Sequence, residues 1–243
     1  MRLKIIGTSC TWFERLNTSF VIDKDIVFDV PNGNYKSISK YTDISKLKCV
    51  IISHFHTDHF ADFRIIATLF MRHFEKFDRV EHLRVYAPKG IVNRLTEIAK
   101  LTYSGLDECT EESLTKYIDF IELEDGFEFE EGDYKIKAFK MEHGAPETYG
   151  FTFKDSTGKV VAFSGDTKMC DNLHKLLENA DFALLEMSSM VQHRSHISIA
   201  EFEELQKKYT NAKFYPVHTS DECQEYAIKN NMNYVNDGDE LLF

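Results

Sequence analysis

Proline and glycine are scarce in this chain. Four prolines and 11 glycines in 243 residues leave no Pro/Gly/Ser-rich tract to act as a linker. No internal repeat or low-complexity segment is visible, so residues 1–243 read as one domain. Cysteine is sparse as well. Cys10, Cys49, Cys109, Cys170 and Cys223 are odd in number, scattered and never spaced Cys-x-x-Cys. That pattern argues against a disulfide framework and predicts free thiols, each a small buried apolar residue, in a reducing compartment. Long apolar runs are missing. The stretches at 49–52 and 182–185 fall far short of the roughly 20 residues of a membrane span, and the apolar residues near Met1 are too few for a signal-peptide core. A soluble, cytoplasmic protein with no membrane partner is expected. Positive charge is in deficit too: 29 Lys+Arg stand against 40 Asp+Glu, a net charge of −11. This excludes gripping long duplex nucleic acid by bulk charge. It leaves room for a local basic patch, or for a site that handles anions through bound cations.

What is present is ordinary globular material, 43% hydrophobic, enough for a large core without metal staples. Strands are predicted at 2–6, 19–22, 26–28 and 49–53. The last of these, Cys-Val-Ile-Ile-Ser, is short, apolar and β-branched, as a strand covered on both faces should be. A helical stripe over 60–77 runs through Phe63, Ile66, Ala67, Phe70, Phe74 and Phe77. Further helices are expected at 91–101 and 108–118. Strands then return at 134–141, 149–154 and 160–164, with a turn at Asp155-Ser156-Thr157-Gly158. Helices at 171–179, 198–208 and 222–230 alternate with strands at 182–186, 213–217 and 240–243. Strands lead in both halves and helices follow. That order suggests an α/β fold of two packed sheets with helices outside, although periodicity alone also allows a three-layer sheet.

The strongest signal is His54-Phe55-His56-Thr57-Asp58-His59, between a buried strand and a helix. Four potential metal ligands occupy six residues. Such groups gain little by packing together, and borderline cations such as zinc take imidazole nitrogen and carboxylate oxygen. One ion cannot easily use all four from so short a loop, so two adjacent ions are the natural arrangement.

His-x-His-x-Asp-His after a buried strand resembles the signature of the metallo-β-lactamase superfamily. Further motifs of that family occur in order: Glu142-His143-Gly144, Ser164-Gly165-Asp166-Thr167 and Pro216-Val217-His218-Thr219. The resemblance implies the four-layer αββα sandwich of two packed mixed β-sheets. It implies two divalent metal ions, zinc before manganese or iron. His54, His56 and His143 would hold one ion, Asp58, His59 and His218 the other, and Asp166 would bridge them. A bridging water activated by both cations would be the attacking group. The runs Leu185-Glu186-Met187-Ser188-Ser189 and Ser195-His196-Ile197-Ser198 resemble the ribonuclease Z group and its small phosphodiesterase relatives, as do Ile6-Gly7-Thr8-Ser9 and Thr148-Tyr149-Gly150-Phe151. The resemblance makes His196 a proton donor assisted by Glu186, with Asp58 also counted as catalytic.

The expected activity is therefore that of a dinuclear hydrolase (EC 3.1) acting on a small phosphodiester or an RNA 3′ end, with a homodimer as a possible assembly. Hydrolysis of a lactone, thioester or other carbonyl substrate is one alternative, and a non-catalytic metal-binding protein is another. Only 23 positions separate His143 from Asp166, the interval in which ribonuclease Z carries its long tRNA-binding arm. Glu186 could instead pair with Arg194, and His196 could simply precede a helix N-cap at Ser198. Asp29 is expected to brace the metal loop. Arg64, Arg72, Lys76, Arg79, Arg84 and Arg94 are read as a solvated helix face, and His73, His82, His174 and His193 as ordinary histidines.

Overall fold

Alternation decides how the sheets pack. In Cys49–Ile51 (β4) and the residue after it, Cys49 and Ile51 join the cluster between the sheets, while Val50 and Ile52 join the cluster beneath the helices. Both faces are covered, so the strand must be apolar throughout. The computed structural model describes residues 1–10, 14–102, 110–145 and 147–243. Its first sheet has the order β13-β1-β2-β3-β4-β5-β6. These strands are Arg2–Gly7 (β1), Ser19–Ile22 (β2), Ile26–Phe28 (β3), β4, Leu83–Ala87 (β5), Ile118–Glu122 (β6) and Glu240–Leu242 (β13). The second sheet has the order β12-β11-β10-β9-β8-β7. It is built from Glu128–Glu131 (β7), Tyr134–Met141 (β8), Thr148–Lys154 (β9), Val160–Phe163 (β10), Phe182–Glu186 (β11) and Lys213–Val217 (β12). Each sheet is mixed: β3 to β6 run parallel, as do β10 to β12, and the remaining neighbours are antiparallel.

Helices cover both outer faces. Tyr35–Tyr41 (α1), Phe63–His73 (α3), Ile91–Thr102 (α4) and Glu111–Thr115 (α5) place Ile38, Phe63, Ile66, Phe70, Leu95 and Leu114 against the first sheet. Asp171–Leu177 (α6), Ile199–Lys208 (α7) and Asp221–Lys229 (α8) place Leu173, Phe202 and Ala227 against the second. The expected αββα sandwich is thus the observed fold. Its central layer is aromatic. The Phe28 ring lies 4.8 Å from Phe20, 5.4 Å from Phe151 and 4.2 Å from Phe163, so one strand of the first sheet is locked to two of the second.

Several expected elements change. The single helix expected over 60–77 is three pieces: the one-turn helix Thr57–Phe60 (α2), α3, and a 3₁₀ turn Phe74–Lys76. The break follows from backbone bonds to the loop after β3. Val30 N donates to His59 O at 2.8 Å, Asp62 N to Val30 O at 3.0 Å and Asn32 N to Thr57 O at 3.2 Å. These turn the chain before α3 begins. The helix expected at 108–118 is the short α5, capped by Thr110, and it gives way to β6; residues 103–109, with Cys109, lie outside the described residues. Arg79 and Arg84 do not form a solvated helix face. Arg79 donates to the carbonyls of Leu47 (2.6 Å) and His82 (3.1 Å). Arg84 on β5 pairs with the buried Glu131 on β7, which also accepts from Tyr86 Oη at 2.9 Å, so this trio ties the two sheets together. Cys10, Cys49, Cys170 and Cys223 are free thiols. Among the described residues no helix is long and apolar enough to cross a membrane.

Strand direction gathers the site. β8, β10, β11 and β12 all point one way, as do β1, β3 and β4, so the loops after them meet at one edge of the sandwich. Phe28 is the packing centre behind that edge. Phe28→Ala is expected to lower unfolding free energy by about 3–5 kcal/mol, the usual cost of deleting a buried aromatic, measured by urea denaturation.

Candidate metal centre

Each loop at that edge delivers one part of the cluster. The turn after β4 carries His54 and His56, and α2 carries Asp58 and His59. His143 follows β8, Asp166 follows β10 and His218 follows β12. All seven expected ligands meet. His54, His56, His143 and Asp166 form one group and Asp58, His59 and His218 another, with ligand atoms in each group within 4.8 Å of one another. Asp166 stands between them. Its Oδ2 faces His54 Nε2 at 3.7 Å, His143 Nε2 at 3.8 Å and His218 Nε2 at 3.4 Å, while Oδ1 faces His59 Nε2 at 3.3 Å.

The side chains behind these groups aim them. Asp29, fully buried at the end of β3, accepts from Ser53 N, Ser53 Oγ and His59 Nδ1, each at 2.7 Å. That fixes the His59 ring with Nε2 toward the cluster, the bracing expected of Asp29. His143 Nδ1 donates to Ser195 O at 3.0 Å. His218 has φ +51°, in the left-handed region. Gly165 has φ +58°, and a Cβ there would lie 2.5 Å from Tyr149 O, so glycine lets the chain turn tightly before Asp166.

Protonation follows from burial and neighbours. Burial, reinforced by His59, holds His54 well below the ordinary imidazole pKa, so it is neutral and able to donate a lone pair. Burial also works against charge on His59, but Asp166 and Asp29 outweigh it and hold that imidazole well above its usual value. Burial opposes ionisation of Asp166 as well, and His218 and His59 overcome it, holding the carboxyl well below the carboxylate range. Two buried atoms pointing into the cluster, His59 Nε2 and Asp166 Oδ1, make no hydrogen bond among the described residues. Buried polar atoms without hydrogen-bond partners are rare and call for an explanation. A divalent cation taking imidazole nitrogen and carboxylate oxygen fits this donor set.

Glu186 and His196 sit beside the cluster. Glu186, buried at the end of β11, accepts from Thr167 N, from Ser188 Oγ at 2.8 Å and from His196 Nδ1 at 3.0 Å. Its partner is therefore His196 rather than Arg194. The N-cap of α7 is Ser198, which forms a capping box with Glu201. The His196 ring lies 4.7 Å from His143 and 5.8 Å from His218. Asp166, His196 and His218 also form a group close enough to share an ion. Burial lowers the pKa of His196, but the hydrogen bond and charge of Glu186 more than offset this and raise it to about 9. Bound cations would push the other way.

The cluster floors an open cleft of about 1070 Å³, whose rim includes Lys140, Lys168, His193 and Arg194. Two residues on its lining escaped the sequence reading. Cys10 follows β1, and burial, with the charges of Asp166 and Asp58, pushes its thiol up to about 12. His193, exposed as an ordinary histidine is, also lines the cleft, with its ring 5.2 Å from that of His196. Cys10 lies in no local motif and reaches the cleft only through the fold, whereas His193 stands close before His196 in the chain. His82 and His174 do lie apart, against Asp119 and Tyr209.

Gly165→Ala is expected to destabilise the protein by more than the roughly 1–2 kcal/mol of a left-handed alanine, because the added methyl meets a backbone carbonyl. Chemical denaturation compared with Gly132→Ala, at φ +56° and with nothing within 4 Å of the added carbon, isolates the clash.

Comparison with known proteins agrees with this geometry. Residues 25–219 match the family model described as a beta-lactamase superfamily domain. A ribonuclease Z of Leuconostoc mesenteroides is 29% identical over 138 residues, covering 56% of this chain and 40% of that protein. The chain therefore aligns with well under two thirds of that relative's length. Among solved structures, a diphosphatase of the PhnP family superposes with a TM-score of 0.77 at 17% identity, covering 100% of this chain and 97% of the other. The metallo-beta-lactamase fold protein YhfI of Bacillus subtilis gives 0.75 at 17% identity, covering 99% of each chain. These two likenesses speak for the fold. The family model, spanning most of the chain and all seven clustered side chains, establishes that this protein belongs to the beta-lactamase superfamily, in its metallo-β-lactamase fold.

Proposed function

We propose that the chain is a dinuclear metal-dependent hydrolase of small phosphodiesters. The observation that carries this reading is the Glu186–His196 pair, hydrogen-bonded at 3.0 Å and set against a buried histidine–carboxylate cluster. A thioester, which expels a thiolate, makes less demand for a dedicated acid of this kind than the alkoxide leaving group of a phosphodiester; a lactone also releases an alkoxide, and the assay below separates those two classes. His54, His56 and His143 would hold one cation and Asp58, His59 and His218 the second, with Asp166 shared. When bound, zinc or a similar divalent ion would supply Lewis acidity and activate water.

The residues of the chain divide the remaining work. Glu186 holds Nδ1 of His196 and favours the imidazolium. Nε2 of His196 is then the atom that gives its proton to the departing oxygen, as general acid. Asp29 and Ser53 keep His59 in one orientation. Lys140 and Lys168 on the cleft are paired with Glu147 and Glu142, while Arg194, which makes no ion pair among the described residues, suits an anionic substrate, and a cleft of about 1070 Å³ matches a nucleotide-sized ligand. A small substrate is favoured over tRNA because the described residues between His143 and Asp166 are chiefly the hairpin β9–β10, with no long arm between them. The ribonuclease Z and diphosphatase likenesses point to the same class of bond, an ester or anhydride of phosphate.

Turnover of bis(p-nitrophenyl) phosphate against a lactone panel tests the class; hydrolysis of the lactones alone would refute it. His196→Ala should lower turnover by about 10²–10⁴-fold on an alkyl phosphodiester and much less on bis(p-nitrophenyl) phosphate, whose leaving group needs little protonation, with metal content unchanged. Equal losses on both substrates would make His196 a substrate-positioning group instead.

A further inference from the structure

Arg15 lies between β1 and β2, and the loop it holds is 204 residues away in sequence. Its Nη2 donates to Thr219 O at 2.9 Å, and its Nη1 to Thr219 Oγ1 and to Thr8 Oγ1, both at 3.1 Å. Nε and Nη2 also donate to Asp221 Oδ1, at 3.2 and 3.1 Å. Thr219 directly follows His218. The backbone of His218 is left-handed at φ +51°, a conformation that a residue other than glycine keeps only where its surroundings fix it. The structure shows what fixes it. On one side, His218 N donates to Thr18 Oγ1 at 3.0 Å. On the other, Thr219 N donates to Thr8 O at 3.0 Å and Arg15 grips Thr219 O. Thr8 is itself anchored, through Oγ1 donating to Asp237 at 3.0 Å. His54, His56 and His143 hang from other loops, and among the described residues no hydrogen bond joins Arg15 to those loops.

We infer that Arg15 is a positioning residue that locks His218 in its left-handed conformation, and so sets the affinity of the second cation site without affecting the first. This rests on the two-cation reading above. The guanidinium suits the task because its planar fork reaches the Thr219 carbonyl, two hydroxyls and a carboxylate at once. An ammonium is a single point of charge.

The test is zinc titration against a competing chelator, read as stoichiometry and affinity, with no activity assay. Wild type should show two binding steps, and the one that His218→Ala abolishes is taken as the second. Arg15→Ala should weaken that second step by about 10–100-fold, the usual cost of losing a residue behind a ligand, and leave the first unchanged. Arg15→Lys should fall between. Asp221→Asn, which breaks only the half-exposed ion pair (Asp221 side chain 52% exposed), should leave both steps intact. In a His218→Ala background, Arg15→Ala should change nothing further. A single step in wild type would remove the two-cation reading and this inference with it. Two wild-type steps with an unaltered second step in Arg15→Ala would overturn the inference alone, as would equal weakening of both steps. Should Arg15→Ala fail to fold, Arg15→Lys decides: loss confined to the second step supports the inference, and loss in both or neither overturns it.

Discussion

A carboxylate buried among four imidazoles is unstable unless something balances its surroundings. Asp166 is 2% exposed, with His54, His59, His143 and His218 all within 4 Å of its oxygens. In the protein alone, the interactions of Asp166 with His218 and His59 meet part of this demand. Two buried atoms, His59 Nε2 and Asp166 Oδ1, still make no hydrogen bond among the described residues. The rest of the edge is arranged around this point. Gly165 makes the turn that presents Asp166, Thr167 N ties that turn to Glu186, and Glu186 in turn holds His196. Asp29 aims His59, and Ser195 O orients His143. The proposed chemistry therefore depends on one continuous set of hydrogen bonds running from the bridging position to the proton donor.

The fold makes such a cluster affordable. Three separate apolar clusters, one between the sheets and one under each helical layer, supply the stability that a group of buried ionisable side chains consumes. The inter-sheet cluster, centred on Phe28 with Phe20, Phe151 and Phe163, fixes how the two sheets sit against each other. That matters because the candidate ligands come from both. His54, His56, Asp58 and His59 follow a strand of the first sheet, while His143, Asp166 and His218 follow strands of the second. A shift of one sheet on the other would separate the two halves of the site.

Much of this was legible in the sequence, for identifiable reasons. His54–His59 is a local signal, four ligand types in six residues after a doubly covered strand. His143, Asp166 and His218 were found because each follows a strand in the order the family resemblance implies. Glu186 and His196 came from the same resemblance, and their hydrogen bond gives them a shared place. Other features lacked a local signature. β6 and β7 lie at sheet edges, and their Asp and Glu residues, suited to an edge that must not pair further, hide the apolar alternation of a strand. The break between α2 and α3 is made by bonds to residues near Val30, which the stripe of Phe63, Ile66 and Phe70 cannot reveal. Arg15 and Cys10 reach the site only through contacts far along the chain, and Arg79 and Arg84 lost their helix-face reading to carbonyls and a buried glutamate.

The central claim is that Asp166 stands between two cation sites. A crystal of the zinc-loaded protein, measured above and below the zinc absorption edge, tests it most directly. The account predicts two anomalous peaks on either side of Asp166, one among His54, His56 and His143 and one among Asp58, His59 and His218. A single peak, or peaks that leave Asp166 outside the coordination of either ion, would contradict it.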